Sequence, residues 1–224
     1  MQINPFYDVS ITIFQKGADL MQTYVITIGR EFGSSGCEIG QRLAEKLNIR
    51  YYDREILELA AKDMGVSVPD AADVEKTIYQ REKNIFTKLG YNSQYLASNQ
   101  LIDAQAQIIR QIATDESCII MGRCADYILK EFKYHMAVYI YAPMQVRNLH
   151  IQSSYGLDHD AAERMITEID RQRHYYYKYV TGTNRGDRHN RDIVINSDFL
   201  GIDGTVDILY DMAVKKFPFA GSPT

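Results

Sequence analysis

The sequence contains few of the residues that build crosslinked, exported or membrane-spanning chains. Its three cysteines (Cys37, Cys118 and Cys124) are too few and too unevenly spaced for a disulfide framework or a zinc site. No run approaches the ~18 apolar residues of a membrane span. The first residues also lack the basic start, apolar run and small-residue cleavage site of an export signal. We therefore expect reduced thiols, a cytoplasmic location and no membrane partner.

An excess of positive charge is also absent. The chain has 224 residues, of which 25 are Lys or Arg and 29 are Asp or Glu, for a net charge of −4. Proteins that bind nucleic acids or anionic membranes normally show a basic excess, so this balance argues against a nucleic-acid partner and leaves room for a local basic pocket. The length suits one domain that carries insertions.

Residues 1–20 look detached from the rest of the chain. Met21 directly precedes an apolar strand, which makes it a candidate functional start. Alternatively, the alternation of Val9–Phe14 predicts a real N-terminal strand. Both possibilities stay open at this point.

Short apolar segments alternate with helical patterns along the remaining chain. Strands are predicted at 24–28, 49–52, 118–121, 136–142 and 193–195, and a closing helix is predicted at 204–216. This alternation is typical of a three-layer α/β fold, with a parallel sheet flanked by helices. Ligands of such sheets lie beyond the carboxyl ends of the strands. The segments there are Gly29–Gly36, Asp53–Arg54, Gly122–Arg123 and the residues after Ala142.

Gly33-Ser34-Ser35-Gly36 lies between the first strand and a helix N-terminus. Glycines let the backbone turn with its amides facing inward, and the helix end favours negative charge, so the segment is a candidate phosphate loop. The alternative is a tight turn that holds no ligand. The common phosphate loop ends in Gly-Lys-Ser/Thr, whereas this chain has Gly36-Cys37-Glu38 and lacks both the lysine and the hydroxyl.

Two charged positions follow other strands. The guanidinium of Arg123 is suited to grip a phosphate with two parallel hydrogen bonds, or it forms a structural ion pair with Asp126 or Asp53. The carboxylate of Asp53 is suited to accept from a base amino group or a sugar hydroxyl. Alternatively, it caps the helix that begins at Arg54.

Several motifs resemble the cytidylate kinase-like family, which is related to the bacterial cytidylate kinases. They are Ile26–Gly40, Leu43–Leu47, Tyr52–Ile56, Ile120–Leu129, Tyr155–Leu157, Ile169–Arg173, Tyr175–Tyr179 and Asp192–Asn196. The resemblance covers about 21–216. Members of that family often carry Arg at the position of Cys37 and an aromatic residue at that of Arg185.

The resemblance implies a P-loop kinase-like domain over 21–216, with a helical acceptor-side insertion near 70–115, a lid near 153–191 and a tail at 217–224. It implies transfer of a phosphoryl group from ATP, with Mg²⁺, to a nucleoside monophosphate such as CMP or dCMP. ATP would lie against Arg30, Gly33, Ser34, Ser35, Gly36, Cys37 and Glu38. The acceptor would lie against Asp53, Arg54, Arg123 and Asp126. The catalytic cations would be Arg123, Arg171 and Arg173, and no protein metal ligand is implied.

Other interpretations stay open. The chain could be a non-catalytic nucleotide sensor with a weakened loop, or a kinase for a non-nucleotide small molecule. Arg171 and Arg173 could instead lie on a solvated helix face. If both serve one phosphate, the helix must end, bend or move there, because residues two apart diverge by about 200°. The run Tyr175–Tyr179 is expected mainly to pack rather than to stack on a base, and the histidines lack metal-ligand spacing.

Overall fold

The computed structural model describes residues 22–74 and 93–220. The N-terminal extension, including Met1, Met21 and the strand predicted at Val9–Phe14, lies outside the described residues. So do residues 75–92 of the predicted insertion and the last four residues of the chain. None of the described helices is long and apolar enough to cross a membrane.

Five strands and seven α-helices lie wholly within the described residues. The strands are β1 (Val25–Arg30), β2 (Arg50–Tyr52), β3 (Cys118–Met121), β4 (His135–Tyr141) and β5 (Ile193–Asn196). The helices are α1 (Gly36–Leu47), α2 (Glu55–Asp63), α3 (Ser93–Asp115), α4 (Ala125–Ile128), α5 (Met144–Tyr155), α6 (His159–Thr181) and α7 (Ser197–Lys216). Each of the five predicted strands is present within two residues of its predicted limits.

The strands form one parallel sheet in the order β2-β3-β1-β4-β5. In β1, Ile28 lies opposite Met121 of β3 and Val138 of β4. The amide of Gly122 donates to the carbonyl of Ile28 at 3.0 Å, so the β1–α1 and β3–α4 connections begin side by side. The carboxyl edge of the sheet thus gathers the segments that the sequence predicts to bind ligands.

Helices cover both faces of the sheet. On one face, α1 and α7 pack on Ile26, Ile28 and Val138. On the other, the C-terminal half of α3 packs through Ile109 and Ala113 on the buried strand β3. Both faces of the central strands are therefore apolar, as parallel sheets require. The predicted three-layer α/β fold is confirmed.

The C-terminal part of the chain differs in its limits from the prediction. α7 begins at Ser197 rather than near Gly204, because Asn196 caps it by accepting from the amide of Asp198 at 3.0 Å. Gly201 (φ 68°, ψ −175°) interrupts the helix and hides its first turn from a periodicity search. Phe217, the first residue of the predicted tail, is buried and stacks on Tyr24 with ring centroids 4.8 Å apart.

The tyrosines of α6 bind this helix to the rest of the domain. The hydroxyl of Tyr176 donates to Gln105 at 3.1 Å, and that of Tyr179 donates to Asn99 at 3.0 Å, both on α3. Tyr177 is buried and donates to Asp126 at 2.7 Å. The run of tyrosines therefore packs, as expected.

Candidate functional site

The β1–α1 loop is held by side chains. Gly33 has φ +82° and Ser35 has φ 56°, so the chain twice enters the left-handed region. The buried hydroxyl of Ser34 donates to the carbonyl of Glu31 at 2.9 Å, and the hydroxyl of Ser197 donates to the carbonyl of Ser34 at 2.8 Å. These side-chain hydrogen bonds hold the loop in place and leave most of its backbone amides unused.

Four amides of this loop stay available. Those of Gly33, Ser35, Gly36 and Cys37 donate no hydrogen bond to any residue within 22–74 or 93–220. They stand at the N-terminus of α1, where the helix dipole favours negative charge. Unpaired amides at a helix N-terminus form an anion site of the kind that phosphate loops use. This is the arrangement expected of a phosphate loop with an unusual sequence.

Arg30 lies across this loop. Its Nη2 is 3.3 Å from Oδ1 of Asp53, and only 14% of its side chain is exposed. A Cβ added to Gly36 would lie 2.7 Å from Cβ of Arg30, and one added to Gly122 would lie 2.5 Å from its Nη1. Because neither glycine has a side chain, the side chain of Arg30 fits between the loop and the end of β3.

Cys37 occupies the position where phosphate loops carry lysine. Its Sγ lies 4.0 Å from Oδ2 of Asp53. Burial, together with the neighbouring Cys37 and Asp53, raises the pKa of Tyr51 above its ordinary value. Cys37 therefore contacts the same carboxylate as Arg30, and Arg30 is a cation that lies beside the loop.

Asp53 and Arg54 take different positions. Asp53 pairs with Arg30, and α2 has Arg54 as its N-cap without any side-chain cap. The side chain of Arg54 is exposed and forms no hydrogen bond or ion pair with the described residues, and only its backbone carbonyl accepts, from the amides of Leu57 and Glu58. Of these two residues predicted to bind the acceptor substrate, only Asp53 contacts Arg30 and Cys37 beside the loop.

Gly122, Arg123 and Cys124 form a left-handed segment at the end of β3. Their φ angles are 67°, 55° and 54°. This conformation costs a residue with a side chain roughly 1–2 kcal/mol. Such backbone strain is concentrated at functional sites. Arg123 is half-buried and lies two residues beyond Met121, the last residue of β3.

Asp126 forms an ion pair with Arg191 and accepts from Tyr177. The side chains of Asp126 and Arg191 are 8% and 1% exposed, so the pair is sealed from solvent. From the sequence, Asp126 and Asp53 are predicted as alternative ion-pair partners of Arg123. In the structure Asp126 pairs with Arg191, and Asp53 pairs with Arg30.

A cluster around Asp170 was missed by sequence reasoning. One oxygen of Asp170 accepts from the amide of Phe32 at 3.0 Å, and the other accepts from Nη1 of Arg147 at 2.6 Å. Nε of the buried Arg147 lies 3.3 Å from Glu31. Asp170 therefore bridges α6, α5 and the phosphate loop. The sequence signal that could have revealed this cluster was Asp170 itself, an acidic residue that begins a segment with two arginines, Arg171 and Arg173.

Arg173 and Arg185 converge on the start of the loop. Both guanidiniums donate to the carbonyl of Arg30, Arg173 at 3.4 Å, and Arg185 also pairs with Asp170 at 3.3 Å. Arg173 lies over the ring of Phe32, 5.5 Å from its centroid. Burial, with the positive charges of Arg30 and Arg185 nearby, lowers the pKa of Arg173 to about 10. The two guanidinium groups therefore share one acceptor at the start of the loop.

Arg171 points elsewhere. It is 48% exposed and pairs with Glu168 at 3.5 Å on the outer surface of α6. The helix runs unbroken from His159 to Thr181, so the two arginines diverge as the helical repeat requires. In this structure Arg173 contacts the start of the loop and Arg171 does not.

Magnesium in a kinase is held mainly by phosphate oxygens and water, with one or two carboxylates. Within the described part of the chain, no group of three or more His, Cys, Asp or Glu residues is placed to hold a metal. Asp53 is the carboxylate that contacts Cys37 and Arg30 beside the loop. A carboxylate beside a phosphate loop is chemistry that fits a magnesium ion bound together with phosphates.

Comparison with known proteins agrees with this geometry. The model of the cytidylate kinase-like family matches residues 25–199. The cytidylate kinase of Methanocaldococcus jannaschii is 25% identical over 188 residues, covering 83% of this chain and 94% of its own. That of Thermococcus sibiricus is 27% identical over 188 residues, covering 83% and 85%.

A solved structure is also similar. An uncharacterized protein from Eubacterium ventriosum superposes with a TM-score of 0.66 at 25% identity, covering 86% of this chain and 99% of its own. The parallel sheet, the glycine loop before α1 and the match over most of the chain lead to one conclusion. The chain belongs to the cytidylate kinase-like family, and it has the α/β fold of the P-loop kinases.

Proposed function

We propose that this protein transfers a phosphoryl group from ATP to a nucleoside monophosphate, with CMP and dCMP as the favoured acceptors. The observation that carries the proposal is the set of unpaired amides of Gly33, Ser35, Gly36 and Cys37 at the N-terminus of α1, with Arg30 lying across it. The curated relatives are cytidylate kinases, which supports the choice of acceptor.

The donor phosphates would lie against the loop amides. Arg30 would contact the outer phosphates in place of the missing lysine, on its release from Asp53. Mg²⁺, when bound, neutralises charge on the donor phosphates, and Asp53 is the carboxylate beside its expected place. Phosphoryl transfer needs little covalent chemistry from the protein, so positioning and cations supply most of the catalysis.

The acceptor would lie beyond β2 and β3. Arg123 would hold its phosphate, and Asp53 would accept from its base or sugar. Arg173 would face the transferring group, because it is half-buried beside the loop and lies among cations that this group would neutralise. Arg171 would have to move from the outer surface of α6, where it pairs with Glu168, to contact the transferring group.

A nucleotide sensor is the second candidate, and a specific observation favours it. Arg30, a cation beside the loop, is already paired with a carboxylate, and Cys37 stands in place of the lysine. A sensor would bind ATP without transferring phosphate.

Turnover separates these functions. The full chain is incubated with ATP and Mg²⁺ and with each of a panel of nucleoside monophosphates, and ADP formation and the phosphorylated product are measured. The proposal expects a product with CMP or dCMP and weaker turnover with purine nucleotides. ATP binding with no product from any acceptor would establish the sensor instead. Turnover confined to non-nucleotide acceptors such as sugar or hydroxy-acid alcohols would establish a different kinase.

A further inference from the structure

Two successive backbone carbonyls of the phosphate loop are contacted by side chains of α5. Nη1 of Arg147 donates to the carbonyl of Phe32 at 3.2 Å. Nδ1 of His150, which lies about one helical turn further along α5, is 3.0 Å from the carbonyl of Gly33. Residues three apart are neighbours on the surface of a helix, so one face of α5 holds both oxygens.

The packing of α5 brings His150 to the loop. A Cβ added to Gly33 would lie 3.1 Å from Cβ of Arg147 and 3.1 Å from Cγ1 of Ile151. Arg147 and Ile151 are buried, whereas His150 beside them is exposed. The ring of His150 therefore reaches the loop from a helix that is itself packed against Gly33.

The contact with Gly33 decides where His150 carries a proton. A carbonyl oxygen only accepts hydrogen bonds, so we assign a proton to Nδ1. Nδ1 also lies 3.2 Å from Oγ of Ser35, and a protonated nitrogen does not accept from that hydroxyl. Ser35 is the N-cap of α1 and forms no side-chain cap. The hydroxyl proton of Ser35 is therefore used by neither His150 nor the helix.

The peptide unit between Gly33 and Ser34 is held at both ends. Its carbonyl accepts from His150, and its amide, which belongs to Ser34, donates to the carbonyl of Glu31 at 3.4 Å. Gly33 has φ +82° and lacks the Cβ that restricts the backbone of other residues. A peptide unit that rotates carries the next residues with it. Its fixation therefore sets the direction of the amides that follow, at residues 35–37.

We infer that His150 is a positioning residue for the donor phosphates, because its Nδ1–H holds the Gly33–Ser34 peptide unit and thereby the unpaired amides of the loop. The inference rests on the proposed function for its ligand, the phosphates of ATP. His150 acts through the loop and does not itself contact the ligand. A loop that is already held in its bound shape loses less conformational entropy when a ligand binds, so it binds that ligand more tightly.

The test compares three variants of the full chain. His150→Leu removes the donor, whereas His150→Asn keeps one, because Nδ2 of Asn takes the place of Nδ1. His159→Leu is the matched control, since His159 is exposed on α6 and its Nδ1 lies 3.2 Å from Asp160. Affinities for ATP and CMP are measured by isothermal titration calorimetry, and exchange of the Ser34 amide is measured by NMR without nucleotide. His150→Ala replaces His150→Leu if leucine lowers the melting temperature.

We expect His150→Leu to weaken ATP binding about three- to tenfold, as for the loss of one hydrogen bond, and to leave CMP affinity unchanged. The Ser34 amide should exchange faster in this variant. His150→Asn should restore both values, and His159→Leu should match the unmodified chain. A general structural role would instead lower the affinities for ATP and CMP alike without rescue by Asn, and that result would overturn the inference.

Hydrogen exchange separates this inference from the proposed function. Equal exchange of the Ser34 amide and equal ATP affinity in His150→Leu and His159→Leu would overturn the inference and leave the proposed function in place. Failure of the unmodified chain to bind ATP would overturn the proposed function. Faster exchange in His150→Leu, restored in His150→Asn, would in that case still support the role of His150 in positioning the loop.

Discussion

Nη2 of Arg30 lies 3.3 Å from Oδ1 of Asp53, and this ion pair joins the end of β1 to the end of β2 directly over the phosphate loop. The pair explains how a loop without lysine keeps a cation next to its amides. If Arg30 contacts the donor phosphates as proposed, it has to exchange the carboxylate of Asp53 for a phosphate, and this exchange costs free energy. The first prediction tests whether the position of Arg30 matters.

Gly122→Ala should displace Arg30. The added Cβ would lie 2.5 Å from Nη1 of Arg30, and that end of the side chain can move away. We expect ATP affinity to fall about tenfold, as for the loss of one charged hydrogen bond. The measurement is ATP affinity by calorimetry.

Gly65→Ala is the matched control for this change. Gly65 has the same φ of +67° as Gly122, but nothing lies within 4 Å of its added Cβ. Both variants should lose similar stability from backbone strain, about 1–2 kcal/mol. An equal effect of both variants on ATP affinity would show that the position of Arg30 is immaterial.

Cys37→Lys should strengthen the loop. The new ammonium would stand where phosphate loops place one, at a side chain that now lies 4.0 Å from Asp53. One charged hydrogen bond to phosphate should tighten ATP binding by more than tenfold, at roughly 1.5–3 kcal/mol. Gln41→Lys adds the same charge on the exposed side of α1 and should change affinity little. If the two variants bind ATP alike, position 37 does not face the phosphates.

Asp170→Asn should destabilise the fold. Asp170 receives hydrogen bonds from the amide of Phe32 and from Arg147 and Arg185, so its charge compensates cations that are mostly buried. Breaking such a pair costs about 3–5 kcal/mol. Urea unfolding measures the change. Glu168→Gln, on the exposed surface of the same helix, should cost no more than about 1 kcal/mol. A loss at Asp170 as small as that at Glu168 would contradict this role.

His135 should make stability depend on pH. Burial lowers its pKa from 6.5 to about 4, opposed by Asp192 and Asp126 and assisted by Lys216 and Arg191. The unfolded chain therefore binds the proton first as pH falls. The contribution of neutral His135 to stability is present above pH 6.5 and is lost between pH 6.5 and about 4.

The variant His135→Gln tests this. Gln keeps a polar group near the hydroxyl of Thr27, which lies 2.7 Å from Nε2 of His135, but it does not titrate. The free energy of unfolding should vary by up to about 3 kcal/mol less over that pH range than in the unmodified chain. The exposed His159→Gln should keep the original dependence. An unchanged pH profile in His135→Gln would contradict this assignment.

The sequence predicts the sheet well because its signals are local. The buried strand β3, for example, is an uninterrupted apolar run from Cys118 to Met121 that ends at a glycine. The phosphate loop is also local, since it depends on glycine spacing before a helix. α7 was predicted to begin too late, because Gly201 breaks the periodicity that marks a helix.

The cations around the loop could not be placed in the same way. The contact of Asp170 with Phe32 spans 138 residues, and that of Arg185 with Arg30 spans 155. Such pairs depend on how α5 and α6 pack on the loop, which no local pattern encodes. The helical repeat did predict that Arg171 and Arg173 diverge, but it could not tell which of them faces the loop.

The most direct measurement of the account is steady-state turnover of Arg173→Ala with ATP, Mg²⁺ and CMP, together with its nucleotide affinity. Arg171→Ala is the control on the same helix, and Arg173→Lys serves if the alanine variant is unstable. The account predicts that Arg173→Ala lowers kcat by about a hundredfold or more with little change in ATP affinity, because the charge that Arg173 meets develops mainly in the transition state. Arg171→Ala should change kcat severalfold at most. Intact turnover in Arg173→Ala, or a loss of binding alone, would contradict phosphoryl transfer at this cluster and favour the sensor.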